Sequence, residues 1–132
     1  EAGLSERYIE QLAPWQDMLA LGLTTTPEQP APSRTDSHAW AAHPNYGLLA
    51  TVLGIRPAEP GFKSVNITPS LGSLNEAEGT MPHPMGEIHV SLMRDGENGV
   101  KAEVTLPEGL NGVFDWDGKT RNLKPGKQEF SF

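Results

Sequence analysis

The hydrophobic period of this chain changes near Pro57, and the change divides it between two kinds of structure. Upstream, residues 5–12 and Leu4 before them set Leu4, Tyr8, Ile9 and Leu12 at the three- and four-residue spacings of one helix face. Pro14 suits the first turn of a second helix, where its missing N–H costs nothing. That helix carries Trp15, Met18, Leu19 and Leu21 to a natural stop at Gly22. Prolines at 27, 30 and 32 then forbid regular helix, so residues 23–36 are expected as a stiffened, extended loop. Helix resumes near Ser37, with Asp36 or Ser37 as its N-cap, is adjusted at Pro44, and runs through Tyr46, Leu48, Leu49, Val52 and Leu53 to Gly54.

Downstream the period is two. Ile88, Val90 and Leu92 alternate on one strand, and Val100, Ala102, Val104 and Leu106 on the next, with the glycine-containing loop "RDGENG" between them. Asp117-Gly118 and Pro125-Gly126 mark two further turns, and Phe130 and Phe132 share one face of a closing strand. "FKSVNITP" and "LNEAEGTMP" read as earlier strands. Short strands with frequent turns predict an antiparallel β-sandwich, so the fold class is α+β: N-terminal helices followed by a sandwich.

Composition removes several functions. A chain of 132 residues is one core's worth of sequence. Its formal charge is −7 and its ten Lys and Arg form no dense cluster, which argues against nucleic acid and anionic membranes as partners. With no cysteine there is no disulfide framework and no thiolate chemistry, though the compartment stays open. No apolar run approaches the roughly 20 residues of a membrane span. The opening "EAGLSERYIE" has neither a methionine nor a signal peptide, and reads as part of something longer.

The residues able to carry chemistry gather in "GLTTTPEQPAPSRTDSHAW", residues 22–40. Glu28 taken alone is an ordinary solvated glutamate, but it sits among threonines and prolines that fix backbone and supply hydroxyl hydrogen bonds. Loops held on a rigid scaffold carry catalytic groups disproportionately often. His38, ten residues on, can face the same pocket if the loop folds back. His43, His83 and His89 lack metal-ligand spacing, so no metal and no cofactor is expected. The serines lack a nucleophile-elbow context and the glycines form no phosphate loop. Trp15 and Trp40 could stack on a sugar, with core packing as the default for both; Trp116 is expected in the sandwich core or in hairpin packing.

The run from "MLALGLTTTPEQP" through "SHAW" to "LLATVLGIRPAEPGF" resembles the C-terminal part of bacterial α-L-rhamnosidases, glycoside hydrolase family 78. The resemblance rests on Gly22, Thr24, Thr25, Glu28, Ser37, His38, Gly54, Ile55, Pro57, Pro60, Gly61 and Phe62, and covers most of residues 15–90. Pro27 departs from it, standing where many members have an aromatic residue. The resemblance implies the end of an (α/α)6 toroid that hydrolyses terminal α-L-rhamnosyl linkages with inversion. Glu28 would be the general base and His38 a contact to the sugar, while the general acid would lie upstream of this chain.

The expected organisation follows. Residues 1–56 are the last helices and active-site loop of an incomplete catalytic toroid, and residues 57–132 a C-terminal sandwich. The partners are a rhamnose-containing glycan or glycoside and the missing toroid. A periplasmic or extracellular parent suits such a substrate. Trp15, Met18, Leu19, Leu48, Leu49 and Leu53 should face helices this chain lacks, and left uncovered would fold onto the sandwich, fray or drive self-association. Two other readings compete: a carbohydrate-binding or structural sandwich, marked by solvent-facing aromatics on its sheets, and a toroid glycosidase for another sugar.

Overall fold

The computed structural model describes residues 5–132, so Leu4 of the first expected helix lies outside the described residues. That helix is replaced by 3-10 turns over Ser5–Arg7 and Ile9–Leu12. Helix α1 follows at Ala13–Ala20 with Pro14 in its first turn, as its spacing predicts. The second helical region begins with a 3-10 turn at Ala39–Ala42, continues as the single turn α2 at Pro44–Gly47, and widens to a π-helical turn at Leu48–Val52. The residue at its N-terminal boundary is His38, with no side-chain cap, rather than Asp36 or Ser37. Those two belong to the folded-back loop, where threonine hydroxyls engage their backbone: Thr25 donates to the Asp36 carbonyl and the Ser37 N–H donates to Thr35 Oγ1 at 3.4 Å.

Among the described residues eight strands make two four-stranded sheets. One has the order β1-β2-β6-β7 and comprises Ile55–Pro57, Ser64–Ile67, Asn111–Trp116 and Lys119–Leu123. The other has the order β3-β4-β5-β8 and comprises Glu76–His83, Gly86–Asp95, Gly99–Leu106 and Gly126–Ser131. The second sheet is antiparallel throughout, with the "RDGENG" loop closing β4 onto β5 at Asp95 and Gly99. The first sheet corrects the wholly antiparallel expectation: β2 and β6 run parallel, Val65 opposite Gly112 and Ile67 opposite Phe114. They are distant in sequence, so no hairpin imposes an antiparallel sense on them. Strand β1 was also not expected; the helical reading ran up to Gly54, and three residues are too few to show a period.

The core lies between the sheets. Ile88, Val90 and Leu92 of β4 and Val100, Ala102, Val104 and Leu106 of β5 are all buried, as their alternation predicts, against Ile55, Val65, Ile67, Phe114 and Leu123 of the other sheet. Phe130 and Phe132 flank Phe114, with ring centroids 5.0 and 5.9 Å away. Trp116 is buried as expected and donates its indole N–H to the Asn98 carbonyl at 2.8 Å. The helical segment sits on this body through Leu53, which joins the core, and Leu49, half-buried beside it. Both lie over Gly79 of β3, where an added Cβ would stand 2.7 Å from the Leu53 side chain.

Candidate active site

The loop that carries Glu28 starts from a well-closed helix end. Gly22, at φ 74°, turns the chain out of α1. The Gly22 N–H reaches the Leu19 carbonyl at 2.9 Å and the Leu23 N–H the Met18 carbonyl at 3.1 Å, the paired closure that a left-handed residue after a helix allows. From there residues 23–38 fold back on themselves. The Glu28 N–H donates to the Thr35 carbonyl at 3.0 Å and the His38 N–H to the Thr26 carbonyl at 2.7 Å. The threonines act as their hydroxyls suggest: Thr26 donates to the His38 carbonyl at 2.9 Å, and Thr25 donates to that of Asp36. Pro27 is buried beside them in sequence.

The fold-back brings the backbones of Glu28 and His38 to one end of the loop, and Trp40 joins them. Its indole N–H donates to the Glu28 carbonyl at 3.1 Å, and its ring lies 3.9 Å, centroid to centroid, from the His38 imidazole. Trp40 is 61% exposed, which corrects the expectation that it packs in a core. The carboxylate of Glu28 engages Arg34 instead of His38. Arg34 Nε donates to Oε2 at 2.9 Å and the neighbouring guanidinium NH2 donates to Oε1, a two-pronged fork. The glutamate side chain is only 13% exposed beneath an arginine that is 78% exposed. Neither Glu28 nor His38 lines the cavity of about 640 Å³ between α1 and the loop, whose walls include Pro14, Met18, Leu21, Pro27 and Asp36.

Arg34 was not singled out from the sequence, although a signal was there. It is the one Lys or Arg between residues 22 and 40, six positions after the glutamate. The other histidines have structural partners. His43 packs edge-on to Trp15 at 5.0 Å, and Trp15 donates to the Ala41 carbonyl at 2.7 Å. His83 Nε2 donates to the Phe62 carbonyl at 2.9 Å while its Nδ1 accepts from the Met85 N–H at 3.1 Å. His89 lies 3.9 Å from Glu78. Among the described residues no three His, Asp or Glu side chains come together as a metal site. What the loop offers is one carboxylate forked by Arg34, and beside its backbone carbonyl an exposed indole packed against an imidazole.

Comparison with known proteins places the chain. Residues 54–131 match the family model described as the bacterial alpha-L-rhamnosidase C-terminal domain. An alpha-L-rhamnosidase of Alteromonas sp. (strain LOR) is 37% identical over 78 residues, 54% of this chain and 8% of that protein. The GH78 family rhamnosidase of Bacillus sp. GL1 superposes with a TM-score of 0.74 at 25% identity, over 86% of this chain and 13% of that one. The alpha-L-rhamnosidase of Aspergillus terreus gives a TM-score of 0.73 at 22% identity over 90% of this chain and 16% of its own, a likeness of fold. That of Streptomyces avermitilis, solved with L-rhamnose, gives 0.70 at 18% over 89% and 14%. This chain therefore spans a small part of the length of these relatives. With more than half of its residues inside the family match, the chain belongs to the C-terminal domain family of bacterial α-L-rhamnosidases.

Proposed function

We propose that this chain is the C-terminal part of an inverting glycoside hydrolase that releases terminal α-L-rhamnose, with Glu28 as its general base. Residues 1–56 then complete the catalytic toroid and residues 57–132 form the accessory sandwich. The observation that carries this reading is the mounting of Glu28: its N–H, its carbonyl and its carboxylate are each tied, to Thr35, Trp40 and Arg34. A surface glutamate without a task needs no such fixing. The solved relatives support it as well, since their likeness of fold covers 86–90% of the chain and so extends upstream of residue 54.

In this reading Glu28 takes a proton from a water as that water attacks the anomeric carbon, while a carboxylic acid on the opposite side protonates the departing oxygen. The two carboxyl groups of an inverting site stand about 6.5–9.5 Å apart, leaving room for the water. The acid belongs to the upstream toroid, and His38 holds a sugar hydroxyl. A carbohydrate-binding sandwich is less well supported, because the exposed large aromatics, Trp40 and Tyr46, both precede residue 54; on the sandwich the exposed large apolar side chains are Met85 and Met93.

The test is to assay this chain alone and the full-length protein on an aryl α-L-rhamnoside and on aryl glycosides of other sugars, following the released anomer by NMR. The expected result is turnover of the rhamnoside with inversion by the full-length protein alone. Comparable turnover by the isolated chain, a retained anomer or preference for another sugar would overturn the reading.

A further inference from the structure

We propose that Arg34 is the positioning residue for the general base, a role that rests on the reading of Glu28 given above. Two of the three ties on Glu28 fix its backbone: the N–H to Thr35 and the carbonyl to Trp40. The side chain still has its own torsions, and among the described residues the Arg34 fork is what restrains the carboxylate plane. A fork needs both oxygens in the guanidinium plane at once, so it sets direction as well as charge. It also leaves the base usable. An ionised carboxylate offers about four acceptor sites and a fork takes one on each oxygen, so each keeps one for a water.

The placement of Arg34 fits this use. Arg34 lies mostly in solvent, on the return limb of the same loop, while the carboxylate that it forks is only 13% exposed. Thr35 beside it accepts the Glu28 N–H and the Ser33 hydroxyl, so the limb that supplies the fork is itself pinned to the limb that carries the base. A carboxylate that swings out of line by an ångström loses on the order of 10²-fold in rate even though its charge is unchanged.

The experiment is a double-mutant cycle in the full-length protein on an aryl α-L-rhamnoside, with Arg34→Gln, Arg34→Lys, Glu28→Gln and the Arg34→Gln/Glu28→Gln pair. Arg34→Gln should lower kcat roughly 10- to 10²-fold with KM changed less than about threefold. Arg34→Lys should recover only part of that, because an ammonium cannot fork. In the Glu28→Gln background, losing Arg34 should cost less than about twofold more. Near-native kcat for Arg34→Gln, full recovery by lysine, or an additive double mutant would overturn the assignment of Arg34 while leaving Glu28 in place. Near-native kcat for Glu28→Gln would overturn the reading of the base, and this proposal with it.

Discussion

Tyr8 lays its ring against the backbone of Gly47, where an added Cβ would stand 1.8 Å from the phenol oxygen. The hydroxyl is buried there without a hydrogen-bond partner among the described residues. An unmatched buried hydroxyl costs free energy, so Tyr8→Phe should leave stability unchanged or raise it by up to about 1 kcal/mol in a denaturant titration. A loss larger than that would mean the hydroxyl has a partner in solution. Burial also raises the phenol's pKa above its ordinary value. The folded chain then keeps a proton that the unfolded chain releases, so stability falls as pH rises past about 10. Tyr8→Phe should show a shallower fall over that range. His38→Ala in the full-length protein belongs to this scale too: losing one sugar hydrogen bond should lower kcat/KM by about 10-fold, less than the loss of the base. An effect as large as that of Glu28→Gln would give His38 a direct part in the chemistry. At this scale the sequence made Glu28 and His38 visible through their setting of threonine and proline. It hid the Arg34 fork and the contact of Trp40 with Glu28 and His38, because both depend on where a loop folds back, which local spacing does not encode.

The elements divide in the same way. Alternation of apolar residues named the buried faces of β4 and β5 correctly, since a strand has one period and a sandwich has one inside. The spacing of the helical half predicts three simple helices, two before the loop and one after it, yet the half contains 3-10, α and π turns. An apolar spacing of three and four is compatible with all three, and Pro44 withholds the N–H that would tie α2 to the turn before it. The parallel β2–β6 pair escaped notice for want of any local signal. The attachment of the second helical region to the sandwich can be measured. Leu53 is buried over Gly79, so Leu53→Ala should cost about 2–4 kcal/mol. Leu19, 74% exposed on α1, should cost less than about 0.5 kcal/mol in this chain when changed to Ala. Equal costs at the two positions would contradict this division of the core.

For the molecule as a whole, the six apolar residues expected to face missing helices part company. Met18 and Leu53 are buried, Trp15 is half-buried and Leu49 is half-buried on the sandwich, whereas Leu19 and Leu48 are exposed, as are Leu21, Trp40 and Tyr46. The sandwich thus anchors the second helical region through Leu49 and Leu53, and leaves apolar surface exposed on both helical regions, at Leu19 and Leu21 on the first and at Trp40, Tyr46 and Leu48 on the second. Hydrogen exchange on the isolated chain should be slow in residues 88–92 and 100–106, where both strand neighbours are present, and faster through residues 5–36. Uniformly slow exchange in a demonstrated monomer would instead make the chain a complete domain. The central claim, that this loop presents the general base of a rhamnosidase, is tested most directly by the kcat of Glu28→Gln in the full-length protein on an aryl α-L-rhamnoside. The amide keeps the shape of the carboxylate and loses its basicity, so kcat should fall by about 10²–10⁴-fold while KM stays within a few-fold. A variant that retains near-native kcat would make Glu28 a structural residue and contradict the account.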